Sequence, residues 1–164
     1  MTAGSKYPER QSELRWSESI HIDRDPETVF AAMLDQHTVI KWSAWPEATG
    51  YRCAVAGDGK SVGSEIVFAD PSGNRMGRQR ITEVGKSVVH NQMRNRGPAG
   101  RWVEPTVDFR VEQDGDGTRA YLDFEVAPPA PRLLLPFAHR YLKKSIRPLH
   151  VEDLRRLKRL LEEG

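Results

Sequence analysis

The sequence contains one cysteine, no long hydrophobic run and little net charge, and each of these features excludes a class of protein. With Cys53 alone, the chain has neither an internal disulfide nor a thiolate metal site. No stretch approaches the roughly 18 consecutive apolar residues of a membrane span, and residues 1–10 lack the apolar run of a secretory signal. A formal charge of +2 does not by itself indicate nucleic acid binding. We therefore expect a cytoplasmic protein without a transmembrane segment or a nucleic acid partner.

Length and composition indicate a globular protein. The 164 residues suit one domain, and the apolar fraction of 38% and charged fraction of 29% lie in the globular range. Residues 1–13 are polar, so we expect a flexible N-terminal segment there and a single domain over residues 14–164.

The first regular pattern is a strand followed by a helical corner. Apolar and polar residues alternate over 16–22, the period of a half-buried strand. Asp25, Pro26 and Glu27 then favour a helix start, because they supply a cap, a preset φ and a charge that complements the helix dipole. A second short helix is expected over 37–42, ending before the Trp45-Pro46 pair.

The middle of the chain predicts an antiparallel meander. Turn sequences separate apparent strands at 56–59, 70–74, 84–86, 97–100 and 114–117. In the last hairpin, apolar residues alternate with polar ones on both strands, so one face of the sheet is dry and needs a cover.

A long C-terminal helix is the predicted cover. After the proline-rich breaker at 127–131, apolar residues recur at spacings of three, four and seven. A helix from about residue 134 to 162 would span roughly 43 Å, enough to cross the sheet. We expect Pro148 to bend it.

These elements, in this order, resemble the Bet v 1-like, START-related superfamily, also called SRPBCC or polyketide cyclase/dehydrase proteins. The resemblance is carried by Ile20-His21-Ile22, the Asp25 to Phe30 helix start, Trp42, Val62-Gly63 and the Leu-rich segment 154–162, and it covers the chain from about residue 14. It implies an α+β helix-grip fold: a curved seven-stranded antiparallel sheet around the C-terminal helix, with two short helices after strand 1 and a cavity inside. Members bind lipids, quinones, sterols, polyketides or hormones, and some catalyse cyclisation or dehydration.

Ligand contacts are expected from side chains on the dry face, although plain core packing explains each of them equally well. Asn91 and Gln79 are the polar candidates, because a buried amide needs a partner and often orients a ligand; His139 is a further candidate on the helix. The full set of predicted ligand-binding residues is Trp42, Tyr51, Ile66, Phe68, Gln79, Ile81, Val89, Asn91, Met93, Val107, Phe109, Leu122, Phe124, His139, Leu142 and Ile146.

No motif predicts a metal, a cofactor or a catalytic nucleophile. The five histidines show no ligand spacing, and there is no nucleophile elbow. The segments 57–60 and 114–117 fit hairpin turns better than a phosphate-binding loop or a calcium loop. Cys53 is expected to be a packing residue.

Basic residues are unevenly placed. Between residues 75 and 101, Glu83 is the only acidic neighbour of seven basic residues, and the C-terminal helix adds eight more. We call these fifteen residues the basic flank: Arg75, Arg78, Arg80, Lys86, Arg94, Arg96 and Arg101, with Arg140, Lys143, Lys144, Arg147, Arg155, Arg156, Lys158 and Arg159 on the helix. It is interpreted as a solvated surface, an entrance for anionic ligands, or a contact with acidic membranes or proteins. Aromatic residues are not interleaved with these cations.

Three functions remain open at this point. The favoured one is a non-catalytic binder or carrier of a hydrophobic small molecule, as a monomer or homodimer. The second is a polyketide cyclase, aromatase or dehydratase, which rests on the resemblance alone. The third is an interaction protein whose basic flank contacts an acidic partner, which includes weak contact with a membrane surface.

Overall fold

The computed structural model describes residues 13–97 and 100–164. The predicted flexible segment 1–13 therefore lies outside the described residues, apart from Glu13. In chain order the elements are β1 Leu14–Ile22, α1 Pro26–Leu34, α2 Gln36–Trp42, α3 Trp45–Thr49, β2 Arg52–Ala56, β3 Glu65–Ala69, β4 Arg75–Val84, β5 Val88–Arg96, β6 Trp102–Val103, β7 Thr106–Asp114, β8 Gly117–Val126, a 3-10 turn Arg132–Leu134, α4 Leu135–Ser145 and α5 Arg147–Glu163. None of the described helices is long and apolar enough to cross a bilayer.

The strands form one antiparallel sheet in the spatial order β1-β8-β7-β5-β4-β3-β2. This confirms the predicted antiparallel sheet. Strands β1 and β2 lie at opposite edges, and the three helices between them carry the chain across. The sheet has eight strands instead of seven, because β6 pairs with the end of β5 beside the main path. With two residues, β6 is too short to produce an alternating pattern in the sequence.

Local sequence explains where the first helices begin. The carboxylate of Asp25 accepts from the Thr28 amide at 3.0 Å, as the predicted cap requires. A third helix, α3, follows the two predicted ones and corrects the expectation that helical structure ends before Trp45-Pro46. Pro46 occupies the first turn of α3, where its missing N–H costs nothing. Gly50 then ends the helix with a φ of 74°, in the left-handed region that glycine tolerates.

The C-terminal helix is divided in two. The long cover across the sheet is confirmed, but it breaks at Ile146 instead of bending at Pro148. Pro148 lies in the first turn of α5. A continuous helix would need a Pro148 amide donor and would push the proline ring against the preceding turn. A break two residues earlier avoids both costs.

The core lies between the concave face of the sheet and the helices. Val107, Phe109 and Val111 on β7 are buried, as are the alternate residues of β8 from Ala120 to Val126, which confirms the predicted dry face. Helix α5 packs against β1 and buries Leu154 and Leu157. Val89 and Asn91 on β5, which were also predicted to lie on the dry face, are buried as well.

Truncation of Leu157 tests how much α5 contributes to the core. Leu157 is fully buried, so Leu157→Ala should lower the free energy of unfolding by about 2–5 kcal/mol, since it removes methyl groups and leaves a cavity. Val62→Ala is the control, because Val62 is 61% exposed and its truncation should change stability by less than about 0.5 kcal/mol. Urea denaturation measures both. Equal effects of the two substitutions would mean that α5 is not part of the cooperative core.

Candidate functional site

A cavity of about 510 Å³ lies between the concave face of the sheet and helices α4 and α5. This volume falls within the range of small-molecule sites. Its walls are mainly apolar and aromatic, as at Trp42, Phe109 and Leu122. Trp42 and Phe109 meet edge to face with ring centroids 5.4 Å apart, and the Trp42 Nε1 donates to the Ala32 carbonyl at 3.1 Å. The Trp42 ring is therefore fixed in the cavity wall by its contacts with Phe109 and Ala32.

The cavity occupies one end of the sheet. On β4 and β5, Gln79 and Met93 line it, whereas Ile81 and Val89 do not. The other end of the concave face is covered by α1, which packs against β5, β7 and β8 and buries Val29 and Met33. Helix α1 thus limits the cavity to the half of the sheet that it leaves uncovered.

Ten of the sixteen predicted ligand-binding residues line the cavity, and their role in binding stays a prediction. They are Trp42, Phe68, Gln79, Met93, Val107, Phe109, Leu122, Phe124, Leu142 and Ile146.

The other six predicted residues lie away from the cavity wall. Ile66, Ile81 and Val89 are buried in the core. Asn91 is also buried, and its side-chain Nδ2 donates to the Val89 carbonyl at 3.4 Å. Tyr51 lines a separate outer groove, and His139 lines a groove on the surface of α4. The alternation of apolar and polar residues along a strand identifies the face on which a side chain lies. It does not show whether that side chain reaches the cavity, because α1 covers part of the same face.

His150 on α5 is a polar wall residue that the sequence analysis missed. Its side chain is buried and its Nδ1 accepts from the Trp16 Nε1 at 2.9 Å. Burial lowers the pKa of the imidazole to about 4. The ring is therefore neutral near pH 7, and since Nδ1 accepts, Nε2 carries the proton.

Asp153, one turn further along α5, is the second polar residue that was missed. Its Oδ1 accepts from the Ala44 amide at 2.6 Å, so it caps α3 from another element. Burial raises the pKa of the carboxyl to about 7. A signal for His150 existed in the sequence, because it falls four residues after Ile146 and four before Leu154, on the apolar stripe of the helix.

Two buried donors in the wall have no hydrogen-bond partner among the described residues: Trp45 Nε1 and Gln79 Nε2. A buried donor without an acceptor is costly. An oxygen atom on a bound ligand would supply the acceptor that either group lacks. The cavity wall is therefore mainly apolar, and at least two of its polar side chains carry a donor that has no partner among the described residues.

The basic flank carries less free charge than the sequence indicated. Glu65 on β3 faces three of its arginines, with N···O distances of 3.9 Å to Arg75 and 3.4 Å to both Arg78 and Arg80. The prediction that Glu83 is the only acidic neighbour was wrong, because Glu65 precedes Arg75 in the chain and lies beside these arginines across the β3–β4 hairpin. Aromatic residues are not interleaved with these cations along the sequence, but in the fold the Arg94 guanidinium lies 4.7 Å from the centre of the Trp102 ring.

The carboxylates Asp58 and Asp114, in the predicted turns 57–60 and 114–117, bind other groups of the protein. Asp58 accepts from the Lys60 and Ser61 amides at 2.8 Å, and Asp114 pairs with His21 at 2.8 Å and with Arg119 at 3.0 Å. Within residues 13–97 and 100–164 no group of three or more histidine, cysteine or acidic side chains is placed to hold a metal ion. Burial raises the pKa of the Cys53 thiol, which favours packing over reactivity.

The buried pair on α5 predicts a specific pH dependence of stability. The carboxyl pKa of Asp153 rises from 3.8 to about 7 on folding, so its stabilising effect is complete below 3.8 and is lost as pH rises towards 7. The imidazole pKa of His150 falls from 6.5 to about 4, so its effect is complete above 6.5 and is lost as pH falls towards 4. The two effects have opposite signs and cancel where these windows overlap.

Single substitutions should expose each half of the pair. Between about pH 4 and 6.5, the free energy of unfolding of Asp153→Asn should rise relative to the wild type by about 1.4 kcal/mol for each pH unit, because only His150 then titrates. The free energy of unfolding of His150→Asn should fall by the same amount for each pH unit, because only Asp153 then titrates. Both asparagines keep an acceptor for the Ala44 amide or the Trp16 indole. Urea denaturation across this pH range measures the slopes, and parallel curves for all three proteins would show that the pair does not titrate in this way.

The chain resembles a known protein family in sequence and known proteins in structure. The model of the family described as polyketide cyclase/dehydrase and lipid transport matches residues 13–162. No curated protein sequence matches.

Solved structures share the fold at low sequence identity. A Thalictrum norcoclaurine synthase has a TM-score of 0.67 at 14% identity over 92% of this chain and 95% of its own. Protein Ms6760 from Mycobacterium smegmatis has a TM-score of 0.62 at 14% identity, with 92% of both chains covered. The di-domain aromatase/cyclase StfQ of the steffimycin pathway has a TM-score of 0.65 at 12% identity over 92% of this chain and 51% of its own. At these identities the similarity shows the helix-grip fold, and the match of the family model shows that this chain belongs to the polyketide cyclase/dehydrase and lipid transport family.

Proposed function

We propose that this protein binds a hydrophobic small molecule that carries oxygen acceptors, such as a lipid, a quinone or a polyketide, in the cavity between the sheet and helices α4 and α5. The observation that carries the proposal is the cavity of about 510 Å³ with apolar walls. Burying about 300 Å² of apolar ligand surface would contribute roughly 7 kcal/mol before the costs of ordering are subtracted. That is enough for binding without any further chemistry.

The polar groups of the wall favour oxygen acceptors on the ligand. Gln79 and Trp45 carry donors that lack partners in the described part of the chain, and below a pH of about 7 Asp153 is protonated and can donate as well. A carbonyl or quinone oxygen would satisfy such donors, whereas a pure hydrocarbon would leave them unpaired. The cytoplasm and a monomeric or homodimeric state remain our proposals for location and assembly.

Filling the cavity should weaken binding. Val107 on β7 lines the cavity, and Val67 on β3 lies outside the cavity wall, so Val107→Phe can be compared with Val67→Phe. We expect the first to weaken binding of a fluorescent fatty acid by roughly tenfold or more, since overpacking costs about 1–3 kcal/mol, and the second to change it little. Displacement by an isoprenoid quinone and by an aromatic polyketide then ranks ligand classes. Absence of saturable binding, or equal affinities of the two variants, would contradict the proposal.

Catalysis of cyclisation or dehydration is the second candidate function. The observation that favours it is the presence of Asp153 and His150 in one cavity wall. A carboxylate whose pKa lies near 7 suits a general base at neutral pH. In this proposal the Asp153 carboxylate removes a proton from a ligand methylene between two carbonyls. The His150 Nε2–H donates a hydrogen bond to the resulting enolate oxygen and keeps its proton. The enolate carbon attacks a further carbonyl of the same ligand, whose C=O π bond opens to an alkoxide, and Asp153 gives the proton that it removed to this alkoxide.

Product analysis with a poly-β-ketone mimic tests this second function. Asp153→Asn should abolish most of the enzyme-dependent cyclised product, because the amide cannot accept the proton, typically a loss of about 10²–10⁴-fold in rate. Asp116→Asn is the matched control on an exposed turn and should leave the products unchanged. A product distribution that is the same with wild type, with Asp153→Asn and without protein would leave binding alone as the function.

A further inference from the structure

The 3-10 turn and helix α4 carry an exposed apolar face. Leu133, Leu134, Phe137 and Tyr141 are 89%, 52%, 71% and 55% exposed, and they are four of the seven large hydrophobic side chains exposed in the described chain. The spacing of 134, 137 and 141 places them on one side of the helix. Side chains of this kind are exposed at a cost, and their concentration on one short segment indicates a contact surface.

The same segment is strongly basic. Residues 127–146 contain no aspartate or glutamate, while Arg132, Arg140, Lys143 and Lys144 are all exposed. The ion pairs found in residues 13–97 and 100–164 include none of these four cations.

The neighbouring helix α5 differs in this respect. Its cations are largely compensated, with Arg147 paired to Glu18, Arg156 to Glu47 at 2.7 Å and Lys158 to Glu162 at 2.9 Å. The uncompensated charge of the C-terminal region is therefore concentrated on α4, beside the exposed apolar face.

We propose that the 3-10 turn and α4 bind the surface of an anionic lipid bilayer. Leu133, Leu134, Phe137 and Tyr141 would enter the boundary between headgroups and acyl chains, and the four cations would lie at the level of the lipid phosphates. A basic helix with an aromatic and leucine-rich face is the composition of interfacial helices. Each of these cations adds attraction to an anionic surface.

Two other occupants fit this surface less well. A second copy of the chain, related by a two-fold axis, would bring the same four cations against one another. An acidic protein would satisfy the charges, but a flat bilayer can receive all four apolar side chains at once, including Leu133 at 89% exposure, without a preformed groove.

The location of α4 connects this surface with the cavity. Helix α4 packs against α5, and Tyr141 and the adjacent Leu142 also line the cavity. A protein bound through α4 would thus hold one wall of its cavity against the lipid. Membrane binding itself follows from the surface of α4 and does not depend on what the cavity contains.

Vesicle cosedimentation tests the proposal with the full-length chain. Wild-type protein should bind vesicles of phosphatidylcholine mixed with phosphatidylglycerol, and should bind phosphatidylcholine alone much more weakly. Lys143→Gln combined with Lys144→Gln should weaken binding to the anionic vesicles on the order of 25-fold, at about fivefold per lysine. Leu133→Ser combined with Phe137→Ser should weaken it by about tenfold or more.

Matched controls are available on other surfaces. Lys86→Gln and Val62→Ser change an exposed lysine and an exposed valine of other loops, and both should bind as the wild type does. All these side chains are exposed, so thermal unfolding should be unchanged and loss of binding cannot be ascribed to misfolding.

Several results would overturn the proposal. Equal binding to neutral and anionic vesicles, or loss of binding in the control variants, would contradict a specific role of α4. Absence of vesicle binding would also contradict the proposal. In that case, sedimentation experiments and binding to an acidic polypeptide would show whether α4 contacts a second copy of the chain or an acidic protein instead. Fatty acid binding by the cavity is measured separately, so failure of one proposal is distinguishable from failure of the other.

Discussion

The packing of α5 against β1 is the contact on which the rest of the structure depends. It brings the last helix onto the edge strand that also pairs with β8, so the first and last of the described elements together close the concave face. Leu154 and Leu157 supply the apolar part of the contact, and the Trp16–His150 hydrogen bond supplies a directional part. Because α1 already covers one end of the sheet, this closure leaves a cavity at the other end instead of a filled core.

The same contact accounts for the unusual polar groups of the site. Helix α5 can cover the sheet only by bringing His150 and Asp153 out of water, which costs free energy for a charged group. The protein meets this cost by changing protonation: in the folded state and near pH 6 the imidazole is neutral and the carboxyl is mostly protonated. Asp153 also fixes the start of α3 through the Ala44 amide, so a titratable residue of the cavity wall also positions Trp45, which lines the same cavity.

Much of this architecture could be predicted from the sequence because it depends on local chemistry. The Asp25 cap, the hairpin of β7 and β8 and the apolar stripe of the C-terminal helix follow from capping, period and spacing. What could not be predicted depends on side-chain contacts between different elements. Glu65 neutralises arginines of the next strand, α1 decides which residues of the dry face reach the cavity, and Asp153 lies in a polar stretch whose burial is set by α3. The break at Ile146 is an intermediate case, since Pro148 indicated a disturbance but not its position.

The structure thus combines an apolar cavity, a few donors in its wall and a basic apolar surface beside it. The central claim is that the cavity holds a hydrophobic molecule with oxygen acceptors. A high-resolution crystal structure of protein purified from its native host, with native mass spectrometry of the same preparation, tests it most directly. The account predicts continuous ligand density between Trp42 and α5, with an oxygen within hydrogen-bonding distance of Gln79, Trp45 or Asp153, and a matching mass adduct. Side chains collapsed into the space, with no adduct in the mass spectrum, would contradict it.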